Sequence, residues 1–222
     1  VPGLVLIQIC LLFRGQKKRR KKTASAVAVL MVFILSCTGC AGIEPEKRMY
    51  PLAMGVDVSE GEYILTYAMP DLPRATGQGK EEEDGNQTLQ VRGKSFEGIK
   101  SRYERSQEKY LDIGHLQILI LSQDLTETDM WKDFFEYLRK EPLAGENIYV
   151  FQTQEPEKLL GWKEGGTSVG EYITGLMENR MDREQKNGVT LRQVYYQWYQ
   201  NGTLKKLPKI TLSEDQIQVW LE

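Results

Sequence analysis

The sequence predicts a mixed β-sheet with helices packed on it, in the α+β or α/β class. From residue 51 onward, apolar runs of strand length alternate with segments of helical spacing. One of these runs, His115–Ser122, is almost wholly apolar, as expected for a strand buried on both faces of a sheet. Before the folded part, a basic run, an uncharged apolar stretch and two cysteines follow one another. That order predicts an N-terminal lipoprotein signal peptide.

The N-terminal segment has the layout of an export signal. Residues 17–22 are all Lys or Arg, and Thr23–Ser36 carries no charge. This apolar stretch is shorter than the roughly 20 residues that a transmembrane helix needs. Positive residues stay on the cytoplasmic side, so the remainder of the chain is expected to be exported. We therefore expect residues 1–39 to be the signal peptide and residues 40–50 a lipid-anchored tether.

The segment ends in Cys37-Thr38-Gly39-Cys40, which resembles a bacterial lipobox. The peptidase needs small side chains before the cysteine that receives diacylglycerol, and Thr38 and Gly39 favour Cys40. Cys37 is the alternative, because the small Ser36 precedes it. A third interpretation is an uncleaved anchor with incidental cysteines. Lipidation would hold the chain on the outer face of a membrane.

Residues 1–16 form a second apolar stretch before the basic run. Either the true start lies downstream of Val1, or the stretch is an additional membrane segment. Its shortness favours the first explanation.

Charge and composition exclude several functions. Seven of the 29 basic residues precede Cys40, which leaves 22 basic against 31 acidic residues, a net formal charge of −9. Such a body is repelled by nucleic acid, so no nucleic-acid partner is predicted. Cys10, Cys37 and Cys40 are the only cysteines and His115 is the only histidine. The body therefore has no disulfide framework, no cysteine zinc site and no cysteine nucleophile.

The first half of the body predicts a hairpin and a capped helix. Strands over 51–57 and 63–69 are joined by the turn Ser59–Glu62, and the acidic loop 70–86 fits a solvated loop better than a calcium site. A short strand is predicted over 88–92. Ser95 caps a helix whose apolar face is expected to comprise Phe96, Ile99, Tyr103 and Tyr110.

The second half predicts further helices and strands. Thr126–Asp129 is expected to open a helix with a four-residue apolar stripe, namely Trp131, Phe134, Phe135 and Leu138. Helices are predicted over 157–160, 168–180 and 191–199, and strands over 147–153, 209–212 and 216–221. We assign 51–165 to an N-terminal α/β domain. Residues 166–222 are expected to lead into a second domain, with Glu222 a cut inside a longer protein.

No catalytic machinery is visible in the sequence. It has no Gly-rich phosphate loop between a strand and a helix and no Gly-x-Ser-x-Gly elbow, so neither an enzyme nor a cofactor is predicted. His115, at the mouth of a buried strand, fits a structural role better than that of a catalytic base. The aromatic residues of 195–199 fit a packing face better than a platform for a sugar or a base: Tyr195, Tyr196, Trp198 and Tyr199.

Three stretches resemble the Ger(x)C family of spore germination lipoproteins. The first is Thr38-Gly39-Cys40, followed some fifteen residues later by Met54-Gly55-Val56-Asp57. The second is Gly114-His115-Leu116-Gln117 before an apolar strand. The third is the helix through 134–139, which continues by way of Glu141-Pro142 into Asn147-Ile148-Tyr149-Val150. Two features depart from the family: Ala41-Gly42 stands where Trp-Asp is frequent, and the acidic loop looks like a local insertion.

The resemblance implies a non-enzymatic subunit of a nutrient germinant receptor. Such a subunit is anchored by lipid to the spore inner membrane, beside a channel-like A subunit and a transporter-like B subunit. The interaction candidates are Gly114, His115, Tyr195, Tyr196, Trp198 and Tyr199. The alternative is a solute-binding lipoprotein of a transporter, which usually needs two similar lobes where this length supplies barely one.

Overall fold

Seven strands form one mixed sheet in the order β4-β3-β2-β6-β7-β8-β9. The structure is a computed structural model and describes residues 43–70, 88–162, 167–179 and 188–220. The strands are β1 Arg48–Met49, β2 Ala53–Ser59, β3 Glu62–Ala68, β4 Thr88–Gly93, β5 Tyr110–Leu111, β6 Ile118–Ser122, β7 Tyr149–Thr153, β8 Lys209–Ser213 and β9 Gln216–Trp220. The helices are α1 Phe96–Ser106, α2 Gln123–Glu127, α3 Met130–Lys140, α4 Pro156–Leu160, α5 Val169–Glu178 and α6 Leu191–Asn201. The predicted mixed sheet with packed helices is confirmed.

The predicted hairpin forms from β2 and β3, which pair antiparallel from Ala53–Ala68 to Ser59–Glu62. Its two turn residues, Glu60 and Gly61, both have positive φ, 52° and 75°. Positive φ at both positions gives a turn whose twist matches that of the flanking strands. The other side of β2 pairs in parallel with β6, and β6 pairs in parallel with β7.

Helices cover both faces of the sheet. Along β6, Leu119 and Leu121 join a core with α1, α3 and α6, whereas Ile118 and Ile120 join a core with α4 and α5. We call these the α3 face and the α5 face. Every residue of β6 is buried, which confirms the prediction of a strand covered on both sides.

Local capping starts the helices where the sequence predicts. The Ser95 hydroxyl accepts from the Gly98 amide at 3.2 Å at the start of α1. At α5, Ser168 Oγ accepts from the Glu171 amide at 3.3 Å, and the Ser168 amide donates to Glu171 Oε2 at 3.2 Å. These reciprocal bonds satisfy two amides that the first helical turn leaves unpaired. Gly202, with φ of 70°, ends α6 in the left-handed conformation.

Two local predictions are wrong and one is confirmed only in part. The helix predicted to open at Thr126–Asp129 does begin there, with Asp129 at the N-cap of α3. Thr126 and Glu127, however, end the separate helix α2, which Ser122 caps by accepting from the Leu125 amide at 3.0 Å. Tyr110 does not extend the face of α1, because α1 ends at Ser106 and Tyr110 lies, exposed, in β5. His115 does not begin a strand but ends a 3₁₀ turn over Ile113–His115.

The C-terminal strands extend the same sheet. β8 joins β7 in parallel through Gln152–Lys209, and β9 returns antiparallel from Ser213–Gln216. A second domain after this region stays a prediction. The predicted signal peptide with Cys37 and Cys40, and the acidic run at 81–84, lie outside the described residues.

Candidate functional site

The Gly114–His115 turn is built on a buried carboxylate. Asp112 Oδ1 accepts from the Gly114 amide at 2.9 Å, and Asp112 Oδ2 accepts from the Arg48 guanidinium at 2.6 Å. The Asp112 amide in turn donates to the Met49 carbonyl at 2.9 Å. The turn is therefore tied to β1, the first strand of the described chain.

Opposing effects set the charge of Asp112. Burial by itself raises the pKa of this carboxyl. The hydrogen bond from the Gly114 amide and the contact with Arg48 lower the pKa by more than burial raises it, so the pKa lies below its ordinary value. The side chain of Asp112 is 7% exposed. Asp112 is therefore charged, and its two hydrogen bonds, from the Gly114 amide and from Arg48, hold the turn that carries His115 in one conformation.

The two residues of the turn have different roles. A Cβ on Gly114 would lie 3.0 Å from Asp112 Oδ1, so glycine leaves room for the capping bond. His115 is exposed, and its ring meets the edge of Tyr50 at a centroid distance of 5.0 Å. The turn thus places the exposed imidazole of His115 beside the half-buried ring of Tyr50.

The aromatic group of α6 divides into buried and exposed members. Tyr195 is buried, and its hydroxyl donates to the Phe135 carbonyl at 3.3 Å. Trp198 packs edge-on against Trp131 of α3 at 5.3 Å. Tyr199 stacks on Trp198 at 5.2 Å and is 57% exposed, and Tyr196 is 69% exposed. Tyr195 and Trp198 therefore hold the helix, while Tyr196 and Tyr199 remain available for contact.

The two regions have different contact residues. In the described part of the chain, the hydrogen bonds and ring contacts of the turn involve Arg48, Tyr50 and Asp112, whereas those of the α6 aromatics involve Trp131 and Phe135. Over those same residues, no group of three or more His, Cys, Asp or Glu is arranged to hold a metal ion. Nor is any described helix long and apolar enough to cross a membrane.

A pocket that the sequence analysis missed lies on the α3 face. It has a volume of about 240 Å³ and is lined by residues of α1, α3, β2, β3 and β5. Its lining includes Met54, near the start of β2, and Tyr67, which is paired with Met54 in β3. The pocket therefore lies near the amino end of β2, whereas ligands of open α/β sheets usually bind at the carboxyl ends of the strands. This pocket was not predicted from the sequence because the three tyrosines that line it, Tyr67, Tyr103 and Tyr137, lie far apart along the chain.

The fold is an α/β domain, and the candidate residues of the turn and of α6 take part in packing and hydrogen bonding. A family model described as the spore germination protein N-terminal domain matches residues 42–212. The chain therefore belongs to this family of spore germination proteins, and the resemblance to the Ger(x)C family is confirmed. No curated protein and no solved structure matches significantly.

Proposed function

We propose that this chain is the lipid-anchored, non-catalytic C subunit of a nutrient germinant receptor. In this proposal diacylglycerol on Cys40 holds it to the outer face of the membrane, and it assembles with membrane-embedded A and B subunits. Family membership carries the role in germination. The anchor rests on the basic run at 17–22, the apolar stretch that follows it, and Thr38-Gly39-Cys40.

The observation that carries the anchor is the position at which the family domain begins. The match starts at residue 42, two residues after Cys40. β1 begins at Arg48, so seven residues lie between Cys40 and the first strand. The eight residue-to-residue steps from Cys40 to Arg48 span at most about 29 Å when fully extended. An acyl group on Cys40 would therefore keep β1, and the turn tied to it, close to the lipid surface.

Replacing Cys40 tests the anchor. Cys40→Ser should move the protein from the membrane fraction to the aqueous fraction, because the thiol that carries the lipid is lost. Cys37→Ser is the matched control and should leave the protein in the membrane fraction. Mass spectrometry of the N-terminal peptide should show diacylglycerol on Cys40. An unchanged membrane fraction for Cys40→Ser, with loss of that fraction for Cys37→Ser, would move the site to Cys37.

The surfaces for the A and B subunits are proposed to be the Gly114–His115 turn and the exposed tyrosines of α6. The turn lies beside β1, so the short tether keeps it near membrane-embedded partners. Tyr196 and Tyr199 supply the exposed aromatic rings that interface hot spots favour.

Copurification of the receptor tests these surfaces. The variants His115→Ala and Tyr196→Ala/Tyr199→Ala should each reduce recovery of the A and B subunits severalfold. The control is Gln200→Ala, a neighbouring exposed position of the same helix. Circular dichroism should show that all variants fold. Full recovery of both partner subunits with both variants would contradict this choice of surfaces.

A further inference from the structure

The pocket on the α3 face contains a buried polar group that has no partner among the described residues. Tyr67 is 5% exposed, and its ring lines the pocket. Among the described residues its hydroxyl has no hydrogen-bond partner. Buried hydroxyls normally have such a partner, because burial removes the water that would otherwise bond them. The unpaired hydroxyl therefore needs an explanation from outside the described chain.

Three other polar side chains of the pocket, those of Lys100, Tyr103 and Glu141, already have partners. The Tyr103 hydroxyl donates to the Lys109 carbonyl at 2.9 Å, and Lys100 Nζ lies 3.6 Å from Glu141 Oε1. Burial, together with the nearby Tyr137, Tyr103 and Glu141, raises the pKa of Tyr67, so its hydroxyl stays protonated and can donate. The rim carries both signs of charge, which gives no preference for an anion or a cation.

The size and lining of the pocket limit what can enter. Its walls include Met54, Ile99, Ile113 and Leu138, and these are buried core side chains. A dry apolar cavity of about 150 Å³ is enough for benzene. The 240 Å³ pocket therefore has room for a single ring with a small polar substituent.

We propose that this pocket binds a small neutral molecule that has a ring-sized apolar body and a hydrogen-bond acceptor oxygen facing the Tyr67 hydroxyl. The apolar body would pack between α1, α3 and β2, and the oxygen would accept a hydrogen bond from the Tyr67 hydroxyl. This site is distinct from the two proposed contact surfaces and does not depend on the receptor assignment. Leu111 and Ile113 line the pocket on either side of Asp112. A small molecule bound in the pocket would therefore contact β5 and the turn that follows it.

Methyl NMR of the full chain in detergent micelles can test the proposal with two probes, benzamide and toluene. Both fit the pocket, but only benzamide carries an acceptor oxygen. Titration should produce saturable shifts of the Ile99 and Ile113 methyls. The methyls of Ile173 and Ile210, on the α5 face, are the internal reference and should not move.

Two matched tyrosine variants isolate the hydroxyl. Tyr67→Phe keeps the ring and should weaken benzamide binding about five- to tenfold, with toluene binding unchanged within about twofold. Tyr63→Phe removes a hydroxyl of the same strand that is already bonded to the Met130 carbonyl and does not line the pocket. It should leave the affinity for both probes unchanged.

Four outcomes would overturn the proposal. The first is no saturable shift with either probe, and the second is equal shifts at Ile173 and Ile210. The third is unchanged benzamide affinity in Tyr67→Phe. Binding that appears only after residues 73–85 are replaced by a short Gly-Ser linker would assign the pocket to the chain's own loop, which also overturns it.

Discussion

The two faces of the sheet differ in the side chains that cover them and in how closely these side chains pack. On the α5 face the side chains are mostly aliphatic, and backbone approaches are close: a Cβ on Gly170 would lie 2.7 Å from Leu52 Cβ. On the α3 face, rings of Phe96, Phe134 and Phe135 tilt against one another, and a pocket remains at one end. The α5 face is therefore closely packed around Gly170, and the α3 face retains room for a ligand.

The largest effect is expected where the α5 face is tightest. Gly170→Ala would place its methyl 3.0 Å from the Leu52 carbonyl carbon. Leu52 has little freedom to move, because its carbonyl oxygen accepts from the amides of Gln117 and Ile118. We expect a loss of about 1–3 kcal/mol in the free energy of unfolding, measured by urea denaturation.

The matched control lies on the same helix. A Cβ on Gly175 meets only the Asn179 side chain, at 4.0 Å, so Gly175→Ala should stabilise by up to about 1 kcal/mol. Equal effects of the two substitutions would show that the α5 face is not closely packed at Gly170.

An intermediate effect is expected at the polar end of the α3 face. Asp112→Asn removes the charge that bonds Arg48 and should cost about 1–2 kcal/mol of unfolding free energy at pH 7. The pKa of Asp112 is lower in the folded state, so its charge stabilises the fold above the ordinary value of 3.8. This stabilisation is lost as the pH falls through the folded-state pKa.

The pH dependence separates charge from shape. Urea denaturation between pH 7 and pH 3 should show the difference between wild type and Asp112→Asn shrinking below about pH 4. A difference that stays constant over this range would mean that packing, not the carboxylate charge, fixes the turn.

The smallest effect is expected inside the α3 face itself. Tyr67→Phe should change the unfolding free energy by less than about 0.5 kcal/mol or raise it slightly, because the Tyr67 hydroxyl has no hydrogen-bond partner among the described residues. Tyr63→Phe loses the bond to the Met130 carbonyl at 3.2 Å and should cost about 1 kcal/mol. Thermal or urea unfolding of both variants checks the comparison, and a larger loss for Tyr67→Phe would show that its hydroxyl is already satisfied.

Much of the fold was predictable because its signals are local. The β2–β3 turn depends on Glu60-Gly61, and the start of α1 depends on Ser95. The wrong predictions arose where two local signals compete: Ser122 caps a short helix ahead of Thr126–Asp129, and Asp112 caps a turn where an apolar run suggested a strand. In both cases a side-chain oxygen bonds the backbone more effectively than hydrophobic periodicity predicts.

The sequence by itself determined the order of the longer strands and helices, the double burial of β6 and the motifs that lead to the spore germination family. Only the tertiary structure decided that Arg48 bonds Asp112 across 64 residues, that Tyr196 and Tyr199 are the exposed rings of α6, and that Tyr67 lines a pocket. Caps and turns act over about four residues, so the chain encodes them directly. Pockets and ion pairs depend on how distant elements meet, and that is settled only when the whole sheet is packed.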